Sequence, residues 1–453
     1  MENSNLLRTF LKYISLNVMG MIGLSCYILA DTFFVSKGLG ANGLAALNLA
    51  IPVYSFIHGS GLMIGMGAGT KYSILKSQQK NESADHIFTS AFILTLAMAA
   101  VYLLLGIFAS AQITRMLGAD EAVFEMSKTY LQVIMLFAPM FMLNDLLLCF
   151  VRNDGAPQLS MAGMIGGSLS NIVLDYVFIF PCGMGIFGAV LATGLAPVIS
   201  MMILSPFFIK KKNTFRFRKC RMSGRRFAGI LSSGLPSLIT EVASGIVMIV
   251  FNMIILKLEG NVGVAAYGVI ANLSLVVTSI YTGIAQGIQP LMSTSFGAGN
   301  RRQIHAFLRY GLCAVLIVSV LVYGTLFAGA DSVAAIFNSE NNGMLQQIAV
   351  AGLKIYFVGC LFAGFNIVIS IYFTSTEFPL PAHIISLGRG FIVIIPAAFA
   401  LGAAAGMTGV WCAYPVAELI VSLIGAGLFA ASQKRIRNNF GNISDTNGIG
   451  GEL

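Results

Sequence analysis

The chain has 453 residues, of which 57% are hydrophobic and only 10% charged, with a mean hydropathy of +0.84. Soluble domains carry about 25% charged residues, so this composition excludes an ordinary soluble enzyme or binding module and marks an integral membrane protein. The net charge of +9 does not indicate a nucleic-acid partner, because the basic residues gather in short loops between apolar runs.

A membrane-spanning helix needs roughly 20 apolar residues, and twelve such runs follow one another near 14–36, 46–69, 86–109, 128–151, 159–180, 186–209, 230–256, 264–289, 307–329, 348–373, 382–402 and 408–431. They are continuous, where lipid-spanning strands would alternate over about ten residues. An all-α protein with twelve transmembrane helices and no large soluble domain is predicted. Arg8 and Lys12 precede the first run, but no small-residue cleavage site follows it, so we read it as a span and not a signal peptide.

The first span carries Tyr27 and, one turn later, Asp31 in CYILADTFFVS. The second has Gly61, Gly65 and Gly69 at four-residue spacing, a pattern that lets helix backbones approach closely. Its end, GMGAGTKYS, fails as a phosphate loop because Thr70 stands where glycine is required. The fourth holds Asn144 and Asp145, and Asp145, close to Arg152, reads as structural. The fifth contains Gly163 and Gly167, then Asn171 and Asp175 one turn apart on a shared face, and the sixth has Thr193.

Residues 210–226, KKKNTFRFRKCRMSGRR, hold nine basic and no acidic residues and divide the spans six and six. They read as a solvated linker lying near anionic headgroups. Glu241 lies in the seventh span, Gly283 and Gly287 in the eighth, Asn366 in the tenth, Arg389 in the eleventh and Glu418 in the twelfth. Arg389 and Glu418 are expected to form a buried pair. Of the 27 Lys and Arg, 21 fall on the side of the N-terminus, so the positive-inside rule puts both termini in the cytoplasm. The seven cysteines are scattered and read as small apolar fillers.

The halves resemble each other. At an offset of 220 Gly40 matches Gly260, Gly43 matches Gly263 and Gly67 matches Gly287; near it Asn144 pairs with Asn366, Pro157 with Pro379 and Gly185 with Gly406. Six spans per half gives a parallel repeat, the plan of many secondary transporters. The expected division is an N-terminal six-helix bundle, 1–209, the linker 210–226, a C-terminal six-helix bundle, 227–440, and a cytoplasmic tail, 441–453. No nucleotide site is visible, so transport would draw on an ion gradient, and no cofactor is expected.

Acids inside spans are expensive and functional by default. A carboxylate beside an amide oxygen and a hydroxyl could carry a proton or offer the oxygen shell a hard cation prefers. Together Asp31 followed by G-L-G-A-N-G-L-A-A, the Asn171-x-x-x-Asp175 pair, Thr193 and Tyr27 resemble the cation-binding set of prokaryotic multidrug and toxic compound extrusion (MATE) transporters, and the resemblance covers essentially the whole chain. It implies two bundles splayed in a V and a secondary antiporter, not an enzyme. Such a protein exports amphiphilic organic cations in exchange for protons or sodium ions, as a monomer of the cytoplasmic membrane in contact with lipid. It also implies ion coupling, with sodium one candidate, at Asp31, Asn171, Asp175 and Thr193, and a substrate cavity touching Tyr27, Asp31, Asn144, Glu241 and Asn366. Two departures are Leu16, where some members carry proline, and the tenth span, which has no acid. A flippase for lipid-linked sugars of the same superfamily is the alternative; it would need several cavity arginines, and only Arg389 is intramembrane.

Overall fold

The computed structural model describes residues 2–221, 223–338 and 342–448 and is helical nearly throughout. The expected tail, 441–453, extends past these: its last five residues lie outside the described ones. Three very long helices, Glu2–Ser77, Gly224–Gly297 and Ile394–Gly448, are each interrupted by a left-handed glycine, Gly40 (φ 67°), Gly260 (φ 62°) and Gly406 (φ 58°). Divided there, and with the bent pair Phe124–Leu136 and Ala138–Asn153 (47°) counted as one, the long apolar helices make the twelve spans predicted. Gly40 and Gly260 combine positive φ with ψ near −155°, a region open essentially to glycine alone. At Gly40 the turn lays the first span on the second, and Tyr27 and Tyr54, nearly equidistant from it, share a hydrogen bond of 2.9 Å.

The backbone supports the duplication independently of residue identity. Left-handed positions recur at the repeat offset: Gly40 with Gly260, Gln79 with Gly299, Gly155 with Glu377, and Gly185 with Gly406. The short helices Ser110–Met116 and Ala330–Phe337 recur likewise.

Contacts divide the chain into two units, one of Met19–Val242 and one of Met1–Val18 with Ala243–Leu453. The boundaries fall inside the first and seventh spans and not at the linker. Close packing explains this. In the first unit a Cβ on Gly67 would meet the carbonyl of Ile230, and one on Gly234 the carbonyl of Met63, so the start of the seventh span lies backbone to backbone on the second. In the other unit Gly287 abuts Ile14 and Gly283 abuts Val18, so the start of the first span lies on the eighth. Lipid supplies no hydrophobic drive between helices, so such small-residue contacts and interhelical hydrogen bonds carry the association.

In the Met19–Val242 unit the glycine stripe Gly61, Gly65 and Gly69 runs along Asp145, Cys149 and Asn153 of the fourth span, and Gly163 and Gly167 run along Ser200 of the sixth. Most of the described linker residues are exposed, but Phe215 is held against the bundle. Phe215 is buried among Tyr72, Phe88, Phe150 and Phe208, while Phe217 lies on Phe88 and Phe92. The Thr214 N–H donates to Asp154 Oδ2 (2.7 Å), the Arg216 N–H to Asp85 Oδ1 (3.0 Å) and the Arg218 N–H to Thr89 Oγ1 (3.0 Å); Tyr72 also donates to Asp154 (2.6 Å). Phe215 thus anchors the linker to the ends of the second, third and fourth spans, while Phe217, Arg216 and Arg218 stay exposed. Burying a phenyl ring stabilises by about 1.5–3 kcal/mol. Phe215→Ala is therefore expected to raise the rate of tryptic cleavage within 210–226 by about tenfold or more, through local opening. An unchanged cleavage rate on gels would refute the anchor.

The Ala243–Leu453 segment holds the buried pair expected from sequence. Arg389 sits in a π-helical turn, Gly388–Ile392, and its Nε (3.1 Å) and Nη2 (2.8 Å) both donate to Glu418 Oε1. Asn366 Nδ2 donates to Glu418 Oε2 (2.7 Å), and the Ser422 hydroxyl donates to Asn366 Oδ1 (3.1 Å). Arg389→Ala leaves a buried carboxylate unpaired, at a cost of about 3–5 kcal/mol, whereas Arg389→Met with Glu418→Leu removes both charges and recovers most of it. Thermal melts in detergent would show the single variant below the double one; the reverse order would contradict a pairing role.

Candidate functional site

Four of the residues singled out from sequence converge in the Met19–Val242 unit. Asp31 comes from the first span, Asn171 and Asp175 from the fifth and Thr193 from the sixth, all buried at 6%, 0%, 0% and 4% exposure. The fifth and sixth spans pack closely along Gly163 and Gly167, which brings Thr193 beside Asn171. The amide orientation that satisfies both ends of Asn171 has Nδ2 donating to Asp175 Oδ2 (3.0 Å) and its oxygen accepting from the Thr193 N–H (3.2 Å). The carboxyl groups of Asp31 and Asp175 lie close enough for each to act on the charge of the other. A carboxyl-to-carboxyl hydrogen bond exists only with a proton between them, because two carboxylates are both acceptors. Oδ1 of each is buried with no hydrogen-bond partner among the described residues. The site thus combines two carboxyls that can share a proton with unused oxygens facing inward, a donor set that suits either a proton or a hard cation.

The other residues divide. Tyr27 lies near the pair, within electrostatic range of Asp31 and Asp175, and donates to or accepts from Tyr54. Asn144 is on the fourth span of the same unit with its Oδ1 buried and unpartnered among the described residues. Glu241, counted by sequence with the second half, packs with the first: its Cβ lies against Gly59. Asn366 belongs to the other unit, where Glu418 and Ser422 hold it. Asp145 Oδ2 meets His58 Nδ1 at 2.9 Å, while Arg152 Nη2 approaches Met66 Sδ (3.3 Å) and Cys149 Sγ (3.5 Å).

Sequence reasoning missed His58, Tyr54 and Tyr130, which lies beside Thr193. The usable signals were the mirror placement of Tyr54 and Tyr27 about Gly40 and the one-turn step from Tyr54 to His58.

A family model described as MatE matches residues 18–177 and 236–400, well over half of the chain. The chain belongs to the MatE family. Among curated relatives, this MatE chain is 24% identical over 424 residues to the multidrug export protein MepA of Staphylococcus saprophyticus, covering 93% of each chain. It is 25% identical to MepA of Staphylococcus aureus, covering 88% of this chain and 87% of that one. Among solved structures, it resembles an outward-facing multidrug resistance MATE transporter of the MOP superfamily with a TM-score of 0.88 at 22% identity, covering 98% and 99% of the two chains. A MOP superfamily transporter from Pyrococcus furiosus matches with a TM-score of 0.87 at 23% identity, covering 96% and 98%. These structures share its all-helical fold of twelve spans. The MatE chain is a multi-pass membrane transporter and not an enzyme.

Proposed function

We propose that this MatE transporter exports amphiphilic organic cations in exchange for protons, with sodium the alternative coupling ion, by alternating access of its two repeats. The carrying observation is the burial of two neighbouring acids, Asp31 and Asp175, beside Asn171 and Thr193. With a proton between them the pair presents at most one negative charge; without it, two charges in low dielectric attract a cationic guest strongly. A cation entering from one side and a proton or sodium ion entering from the other therefore compete for the same oxygens. Asn171 and Thr193 hold the Asp175 side of this exchange in place, and Tyr27 borders it. The names of the curated relatives, multidrug export proteins, support the substrate class. Pairing of Arg389 with Glu418 supports it too, since that arginine is not left to grip a lipid-linked pyrophosphate.

The distribution of Lys and Arg supports a cytoplasmic-membrane protein with both termini in the cytoplasm. In this reading the transporter works as a monomer, without cofactor or nucleic acid. The repeats 1–209 and 227–440, joined by 210–226, supply in this reading the moving halves, except that the start of each repeat's first span moves with the other repeat. Efflux of a fluorescent organic cation from lipid vesicles under a pH gradient alone, and then a sodium gradient alone, tests the reading. Efflux under the pH gradient is expected. Efflux only under sodium would reassign the ion, and efflux under neither would overturn the antiport.

A further inference from the structure

A second buried acid–base contact lies in the Met19–Val242 unit, outside the Asp31–Asp175 pair. His58 Nδ1 is 2.9 Å from Asp145 Oδ2, and the two side chains are only 14% and 7% exposed. Tyr54 stacks on the imidazole with 5.7 Å between ring centroids and 6° between planes, and Phe141 packs edge-on against Tyr54. Glu241 lies within electrostatic range of both His58 and Asp145. Two glycines of the second span make the room: Gly61 faces the Asp145 carboxyl and Gly59 faces the Glu241 side chain, so helices bearing acids approach His58 from two sides.

The groups around His58 can be taken element by element. Its own span contributes Tyr54, the fourth Asp145 and the seventh Glu241; the third contributes Tyr102, whose hydroxyl is bonded to Ser60 and the Phe56 carbonyl; the first contributes Tyr27 through Tyr54. Tyr27 is also within electrostatic range of Asp31, Asp145 and Asp175 together. The two acid sites are therefore bridged by the Tyr27–Tyr54 hydroxyl pair.

Four carboxyls, Asp31, Asp175, Asp145 and Glu241, thus share a low-dielectric region with His58, and the buried Arg152 guanidinium lies beyond Asp145 against Cys149. Imidazolium beside Asp145 offsets one negative charge; losing its proton leaves that carboxylate uncompensated next to Glu241, which is costly in a buried site. Adding or removing a proton at one pair changes the field at the other, so the two titrate together.

We infer that His58 and Asp145, backed by Glu241, form a second proton-exchanging site, linked to Asp31 and Asp175 through Tyr27 and Tyr54. The proton exchanged is an imidazolium N–H. When it leaves, His58 remains as neutral imidazole and Asp145 keeps its charge. The site's place in the transport cycle rests on the proton-coupled reading above, but the site itself is testable without transport.

The test is nitrogen-15 NMR of histidine-labelled protein in lipid nanodiscs between about pH 5 and pH 9, the range in which histidine switches charge. The protein has four histidines, and His58→Gln assigns the signal. The wild type is expected to show an imidazolium signal for His58 at neutral pH. Asp145→Asn is expected to lower the imidazolium-to-imidazole ratio by about tenfold or more, and Asp31→Asn by about twofold or more, since each removes negative charge that favours the cation. Asp145→Glu, which keeps the charge, retains the wild-type ratio and shows that the fold tolerates change there. A His58 that is neutral across the range, or a ratio the same in Asp145→Asn, overturns the site; a ratio unchanged by Asp31→Asn overturns the link. None of these outcomes depends on efflux, so the site can fail while the exporter reading stands, and the reverse.

Discussion

Efflux of a fluorescent organic cation from vesicles is expected to fall by about tenfold or more in Asp31→Asn and in Asp175→Asn, because a charge-assisted contact in a buried site is worth about 1.5–3 kcal/mol. Either variant keeps the shape of the site while removing one of the two groups that must alternate between proton and guest. Substrate binding is expected to weaken along with efflux, since the guest loses one of its two anionic partners. Asn171→Asp should behave differently. It keeps the oxygens but adds a third acid beside Asp175, which favours retention of a proton at the site and slows its release. Binding assays under zero gradient, paired with efflux under a pH gradient, separate the two effects. Wild-type efflux in Asp31→Asn would remove the coupling site from the mechanism altogether.

The largest effect on folding is expected at the crossing of the second and seventh spans. Gly67→Ala and Gly234→Ala each put a methyl group against a backbone carbonyl, of Ile230 and Met63 respectively. A carbonyl within a helix cannot rotate aside, so the helices must separate, and overpacking of this kind costs about 1–3 kcal/mol or more. Gly427→Ala is the internal comparison: a Cβ there meets nothing within 4 Å, and alanine is the better helix former by about 1 kcal/mol. Thermal denaturation followed by size-exclusion chromatography in detergent should place the two crossing variants well below wild type and Gly427→Ala at or above it. If all three melted together, the close approach would not be what holds the seventh span to the second.

The twelve spans were legible because the bilayer imposes one length and one polarity on every segment that crosses it. Continuous apolar runs of about 20 residues leave the chain little choice but helix. Asp31, Asn171, Asp175 and Thr193 were legible for the converse reason. A polar group is expensive in a lipid span, so its presence marks a place where the protein, not the lipid, surrounds it. Repeat spacing was legible as well, because Gly40 and Gly260 occupy a backbone conformation that other residues avoid.

Other features depended on which faces met. His58 taken alone could be a packing residue; its meaning comes from Asp145, 87 positions away on another helix, and from Glu241, which the covalent repeat assigns to the other half. The linker's basic residues outweighed Phe215, and only the aromatic pocket of Phe88 and Phe150 shows that this one ring is buried. Asp145 and Arg152 are close in sequence but face different partners, because seven positions on a helix do not decide which neighbouring helix fills the space between. Sequence by itself determined the spans, their duplication and the acids that cannot be left in lipid, since each is a local consequence of the bilayer as solvent. Tertiary structure alone decided which acid pairs with which base and which half each helix end joins, because those depend on glycines that let particular backbones touch.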